Sequence, residues 1–158
     1  DPNAATMGVK SSGLGTTPAQ TLFGDQVGCQ FGLSVGTAGD INNDGFSEYL
    51  IGAPNYTGSF SFEGRAHLYL GSPSLAITYY SFQGGQASAY LGWSVGTAGD
   101  LNGDGYAEIA IGEPYYDFGQ VDEGIVAVYF GGPSGLSQFW FLEGLLHGAM
   151  AGKVHQQW

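Results

Sequence analysis

Residues 30–40 read QFGLSVGTAGD and residues 90–100 read YLGWSVGTAGD, and each stretch runs on into an acidic loop, DINNDGFSE from Asp40 and DLNGDGYAE from Asp100. Sliding the chain over itself by 60 residues holds register without a gap from Leu22 to Gly144. Gly52 and Pro54 fall on Gly112 and Pro114, Gly64 on Gly124, Tyr69 on Tyr129, and Gly71, Pro73 and Ser74 on Gly131, Pro133 and Ser134. A fixed period of this length marks stacked or radially arranged supersecondary units. Before the first unit, SSGLGTTPAQTLFG from Ser11 resembles PSGLSQFWFLEG from Pro133 with two extra residues. After the second, Ala151-Gly152 lines up with Leu91-Gly92, but Lys153 to Trp158 does not resemble SVGTAGD. The expected organisation is residues 1–19 as the N-terminal segment and turn of a partial preceding repeat, 20–79 as the first repeat, 80–139 as the second, and 140–158 as the start of a truncated third.

A unit this short buries too little surface to be comfortable alone, so the units must share a core. Glycine, at 29 of 158 residues, is more than twice its ordinary share, and aromatics stand at 15%. Together they suit many tight turns between short strands filled by large rings. Disorder is excluded by an apolar content of 43%. Lys10, Arg65 and Lys153 are the only basic side chains against 14 acids, giving a formal charge of -11. That sign argues against a nucleic-acid partner. Cys29 is alone, so no intrachain disulfide is available and it reads as a small buried apolar residue. No apolar stretch approaches the roughly 20 residues of a membrane helix, and the start DPNAATMG has no signal-like segment, so no membrane insertion is expected. Asn55-Tyr56-Thr57 forms an N-glycosylation sequon in a predicted loop.

The apolar pattern is that of strands. LSVGTA from Leu33, EYLIGA from Glu48, RAHLYLG from Arg65 and TYYSFQG from Thr78 are short, rich in β-branched and aromatic types, and bounded by Gly, Pro, Asn or Asp. In the second unit the four strands are expected at Trp93–Ala98, Glu108–Ile111, Ile125–Phe130 and Gln138–Leu142. A lone fourth strand of the preceding unit is expected at about Gln20 to Gly24. In the third strand Val126, Val128 and Phe130 point one way, Ala127 and Tyr129 the other, so neither face is plainly polar. Sheets covered on both faces follow. The expected fold is all-β: β-propeller blades of four antiparallel strands, two full repeats with partial flanking strands. A β-sandwich of two copies is the structural alternative, with one polar face per sheet.

Asp40, Asn42, Asp44 and Glu48 take positions 1, 3, 5 and 9 of a loop with Gly45 at position 6, and Asp100, Asn102, Asp104 and Glu108 repeat this around Gly105. Alternate residues of a tightly curled loop can aim side-chain oxygens at one point, which is what calcium, with its six to eight hard oxygen ligands, requires. The carbonyl oxygens of Phe46 and Tyr106, at position 7, are the natural additional ligands. Two Ca2+ sites are expected, and two divalent ions would take the charge from -11 to about -7. Magnesium, with its rigid octahedral demand, fits less well. The helical calcium hand needs Glu at position 12, where this chain has Ile51 and Ile111. The competing reading is an Asx-rich hairpin that uses these residues for turn geometry alone. Retention of every oxygen-bearing position in both copies favours coordination.

Phe31-Gly32 (Leu91-Gly92), Gly52-Ala53-Pro54 (Gly112-Glu113-Pro114), the acidic loop between them and the Gly71-Ser72-Pro73-Ser74 and Gly131-Gly132-Pro133-Ser134 turns resemble the FG-GAP repeat of integrin α-subunit propellers and their bacterial relatives. The resemblance covers roughly residues 11–152. It implies a propeller whose first strands line the axis and whose calcium loops lie on one rim. Leu91 departs from the Phe, Glu113 from the Ala, and Glu48 and Glu108 from the usual Asp. Such propellers close with about seven blades, so closure would come from further blades in cis or from identical chains assembling in trans.

In the resembling family, ligands approach the rim opposite the calcium loops. The corresponding links here are Pro54 to Gly64, Pro114 to Gly124 and Gly84 to Tyr90. Asn55, Tyr56, Phe60, Tyr115, Tyr116, Asp117 and Asp122 are the candidate ligand-contacting residues, because exposed aromatics beside carboxylates stack on sugar rings or anchor a protein partner. The competing use of these rings is packing over neighbouring blades. The functional expectation is a calcium-binding module for extracellular adhesion or protein recognition, at the cell surface or outside it. A lectin-like propeller or a self-assembling structural protein is the alternative. A propeller hydrolase is disfavoured: His67, His147 and His155 recur at no equivalent position and no nucleophile or paired-His motif accompanies them, so no catalytic residue is expected.

Overall fold

Short apolar runs punctuated by glycine fold as strands in this computed structural model, which describes residues 20–72, 79–136, 138–143 and 154–156, the last two stretches as backbone alone. The first sheet is β1 (Ser34–Gly39), β2 (Glu48–Ala53), β3 (Arg65–Tyr69) and β4 (Tyr79–Gln83), in that spatial order and antiparallel throughout. The second is β5 (Ser94–Gly99), β6 (Glu108–Glu113), β7 (Ile125–Phe130), β8 (Gln138–Glu143) and β9 (Val154–Gln156). The protein is all-β, two blade-like meanders laid face to face. Every full strand read from the sequence is found within a residue or two of its expected bounds.

One expectation at the flanks is corrected. Residues 20–24 form no strand, because a strand needs a ladder partner and none of the described residues offers them one. At the other end β9 pairs antiparallel with β8, Trp140 opposite Gln156, so residues 154–156 extend the second sheet by an edge strand. The segment before β9, like residues 1–19, lies outside the described residues.

Strand parity assigns the faces. In the first sheet Leu50, Ala66 and Leu68, all fully buried, point toward the second sheet, whose Ile109 and Ile111 are equally buried and point back. Phe82 and Tyr129 seal the outer part of this seam with ring centroids 4.6 Å apart. The opposite face of the first sheet is covered too. His67 and Tyr69 are only 5% and 7% exposed, packed among Phe31, Tyr49 and Tyr79. The outer face of the second sheet is more open: Val126 is 39% exposed and Val128 half-buried.

Glycine explains how closely the sheets approach. A Cβ on Gly52 would land on the Gly92 carbonyl oxygen, and one on Gly36 would meet the Val95 carbonyl at 2.8 Å. Into the same gap Ser34 donates its hydroxyl to the Gly92 carbonyl at 2.7 Å. The repeat-equivalent Gly96 has nothing within 4 Å, and Gly112 meets only Ser94. The first sheet therefore uses its glycines for contact with the second, and the second carries the same glycines facing outward.

Candidate metal centre

Each acidic loop begins where its inner strand breaks register. The ladder shifts between Thr37 and Gly39, and again between Thr97 and Gly99, with both glycines at φ 74°. In each copy the Thr hydroxyl accepts the glycine N–H, at 3.2 Å and 3.0 Å. Such a bulge turns the strand sharply and delivers the acidic residues to the end of the sheet.

Asx hydrogen bonds then curl the loop. In the second copy Asp100 accepts the N–H groups of Gly103, Asp104 and Gly105 at 2.7, 3.1 and 2.9 Å. Asn102 accepts Asp104 N–H at 2.9 Å, and Asp104 accepts Tyr106 N–H at 3.0 Å. The first copy repeats most of this: Asp40 accepts Asp44 and Gly45 N–H, Asn42 accepts Asp44 N–H, and Asp44 accepts Phe46 N–H. Gly45 and Gly105 hold φ near 90°, a conformation costly for any side chain. These bonds are what an Asx turn needs. Asp100 Oδ1 spends both lone pairs on Gly103 and Asp104 N–H, while Asp100 Oδ2 and the oxygens of Asp40, Asp44 and Asp104 each accept one bond and keep a second lone pair. The curl therefore leaves most, but not all, of the acceptors a cation would use.

The two copies differ at position 9. Glu108 is fully buried, donates nothing, and accepts the Leu101 N–H through Oε2, while its Oε1 is buried without a hydrogen-bond partner. Ligand atoms of Asp100, Asp104 and Glu108 lie within 4.8 Å of one another. A buried, unpaired carboxylate oxygen beside two further carboxylates is costly unless a cation joins them, so the donor set fits Ca2+. In the first loop Glu48 spends both oxygens, accepting Ile41 N–H at 2.8 Å and Gly71 N–H at 3.4 Å. Burial holds its carboxyl above the usual range, against those two hydrogen bonds and with Asp44 and Asp40 adding repulsion. Among the described residues only the second loop gathers three acidic ligand atoms this closely.

At the other end of the strands the candidate ligand residues divide. Asn55, Tyr115 and Asp122 line one open cavity of about 530 Å3. Tyr56 lies under the Arg65 guanidinium, whose carbon sits 3.4 Å from the ring centroid, and Arg65 also pairs with Asp25. Phe60 is 46% exposed and stands apart from the cavity lining, and Tyr116 is half-buried. Asp117 braces its own loop, accepting Asp122 N–H at 2.6 Å while its backbone pairs twice with the Gln86 amide. Gln26 and Thr57 make the equivalent pair in the first repeat. Gln30, Ser88, Tyr90 and Trp93 also line the cavity. Ser88 and Tyr90 fall in the Gly84 to Tyr90 link already read from the sequence, whereas the only sequence signal for Gln30 and Trp93 is adjacency to the Phe-Gly and Leu-Gly dipeptides. His67 lies in the middle of β3, buried with Nδ1 unpartnered, and burial lowers its pKa, so it stands neutral among aromatic rings.

Comparison with known proteins follows the same lines. The family model "FG-GAP repeat" matches residues 31–69 and 91–129, which are the two stretches from each inner strand to each third strand. The chain is 36% identical over 123 residues to integrin alpha-PS2 of Drosophila melanogaster, covering 72% of this chain and 9% of that protein. It is 37% identical over 124 residues to integrin alpha-8 of Mus musculus, covering 74% of this chain and 11% of that one. Against integrin alpha-IIb of Mus musculus the identity is 35% over 128 residues, 76% of this chain and 12% of the relative. The chain thus spans about a tenth of the length of the curated relatives it matches. Two matched repeats, each built as a four-stranded meander with an acidic loop between its first two strands, together with these relatives, make the chain an integrin-like FG-GAP repeat domain.

Proposed function

We propose that the chain is a calcium-stabilised pair of propeller blades from an extracellular adhesion or recognition protein, without catalytic activity of its own. The observation that carries the calcium reading is the Asp100, Asp104 and Glu108 cluster with its unpaired, buried Oε1. Ca2+ would be held there by these three carboxylates with Asn102 and the Tyr106 carbonyl, and in the first loop by Asp40, Asn42, Asp44, Glu48 and the Phe46 carbonyl. Its contribution would be neutralisation of carboxylates whose mutual repulsion opposes the folded loop. Because Glu48 must give up an N–H bond or share an oxygen, the first site should bind more weakly than the second.

The outward glycines and half-open apolar face of the second sheet support further blades as neighbours, from the same chain or from identical chains. That face repeats the one by which the first sheet packs, Gly96 and Gly112 standing where Gly36 and Gly52 make contact. The repeat organisation with boundaries at 19/20, 79/80 and 139/140 belongs to the same proposal; each blade is offset from its repeat, since β4 runs from Tyr79 to Gln83. Titration calorimetry of the metal-free chain with CaCl2 tests the metal reading. Two binding events are expected. Asp104→Ala should remove the tighter one and leave the weaker, whereas an Asp104→Ala titration identical to that of the parent would refute the assignment.

A further inference from the structure

Three aromatic rings stand nearly at right angles to one another at the end of the strands opposite the acidic loops. Tyr90 and Trp93 are 6.0 Å apart at 88°, Tyr90 and Tyr115 are 5.6 Å apart at 70°, and Trp93 and Tyr115 are 6.2 Å apart at 87°. Trp93 and Tyr115 are 47% and 43% exposed, although rings this large normally bury most of their surface. All three border the 530 Å3 cavity, whose size falls within the range of small-ligand sites.

The polar part of the lining comes from Gln30, Asn55, Ser88 and Asp122. None of these four side chains hydrogen-bonds to any described residue, while the nearby Gln26, Gln86 and Asp117 side chains are spent on loop backbone. Two amides and a hydroxyl offer both donors and acceptors, and the carboxylate adds acceptors. No basic side chain lines the cavity, so an anionic ligand would meet only repulsion from Asp122 and from the acidic chain as a whole. Of the six non-glycine residues with left-handed backbone among the described residues, Gln30, Ser88, Tyr90 and Asp122 all border this cavity. Glycine would adopt that backbone at lower cost, as Gly28 does at the position equivalent to Ser88. The chain keeps side chains at strained positions, and they face one opening.

We propose that this cavity is a subsite for a neutral saccharide. Trp93 and Tyr115 supply apolar faces for the C–H side of a sugar ring, and Gln30, Asn55, Ser88 and Asp122 supply paired donors and acceptors for its hydroxyls. The site is independent of the metal reading, lying at the far end of strands about 20 Å long.

The test is a titration of the full unglycosylated chain in calcium buffer with glucose, galactose, mannose, N-acetylglucosamine and lactose, and in parallel with a lysine-rich peptide. Saturation-transfer NMR and calorimetry provide the readout. At least one saccharide is expected to bind in the millimolar range or tighter. Trp93→Ala and Asn55→Ala should each weaken it about tenfold without moving the melting temperature. Binding by no saccharide, binding by the peptide alone, or unchanged saccharide binding by Asn55→Ala would overturn the proposal. If Trp93→Ala melts early, Asn55→Ala alone decides. A failed metal reading would appear as absent calcium heat in the separate titration and would leave the saccharide result standing.

Discussion

Glu113→Ala is expected to stabilise the chain by up to about 3 kcal/mol above neutral pH and to flatten its pH dependence. Glu113 stands where the first repeat has Ala53, and parity with Ile109 and Ile111 turns it toward the first sheet. It is 5% exposed and its Oε2 is buried without a hydrogen-bond partner. Burial pushes its carboxyl up to about 7 from an ordinary 4.5. The Tyr129 hydroxyl, on the neighbouring strand, is pushed to about 12 by burial first and by the Glu113 charge second. The sign follows from proton binding. Between pH 4.5 and about 7 the folded chain holds a proton that the unfolded chain has released, so this contribution is fully present below pH 4.5 and is lost as pH rises to about 7. Ala removes the titration at the loss of one buried methylene and the cavity left by the carboxyl, which offsets part of the gain. Denaturant melts at pH 5 and pH 8 provide the check: the parent should lose clearly more stability between them than the variant, whose remaining pH dependence comes from other shifted groups such as Glu48 and His67. Equal slopes in the two proteins would refute the role given to Glu113.

Gly52→Ala and Gly112→Ala should differ sharply, although the two residues are equivalent in the repeat. The Gly52 Cβ would strike the Gly92 backbone carbonyl, which cannot rotate away, so one sheet must shift against the other. Overpacking between fixed backbones belongs at the upper end of such costs, about 3 kcal/mol. The Gly112 Cβ meets only the Ser94 side chain, which can choose another rotamer, and the cost there should stay below about 1 kcal/mol. Equal destabilisation of the two variants would contradict the face-to-face packing of the sheets.

The strands were legible because their apolar runs end at glycine or at Asx-rich loops, and the repeat doubled every signal. Residues 20–24 misled because β-like composition does not supply a ladder partner, a requirement that only three-dimensional neighbours meet. The acidic loops were legible as tight Asx turns, since Asp and Asn at alternate positions accept backbone N–H groups when glycine tightens the curl. The sequence is silent on the difference between them: Glu48 and Glu108 are the same residue at the same position, yet one spends both oxygens on N–H groups and the other leaves one unpaired. Trp93 and Gln30 escaped notice because they belong to a cavity assembled from four stretches far apart in the chain. Glu113 was visible as a departure from the motif, but the burial that gives it consequence depends on the facing sheet.

Structural calcium is the central claim, and thermal unfolding of the chain with excess CaCl2 and with a chelator tests it most directly. Saturation at about 100 times the dissociation constant adds close to 2.7 kcal/mol per site, which for a chain of this length raises the melting temperature by roughly 5–10 °C. The Asp44→Ala, Asp104→Ala double variant should melt at one temperature in both buffers. Coincident parent melting curves in calcium and in chelator would contradict the account.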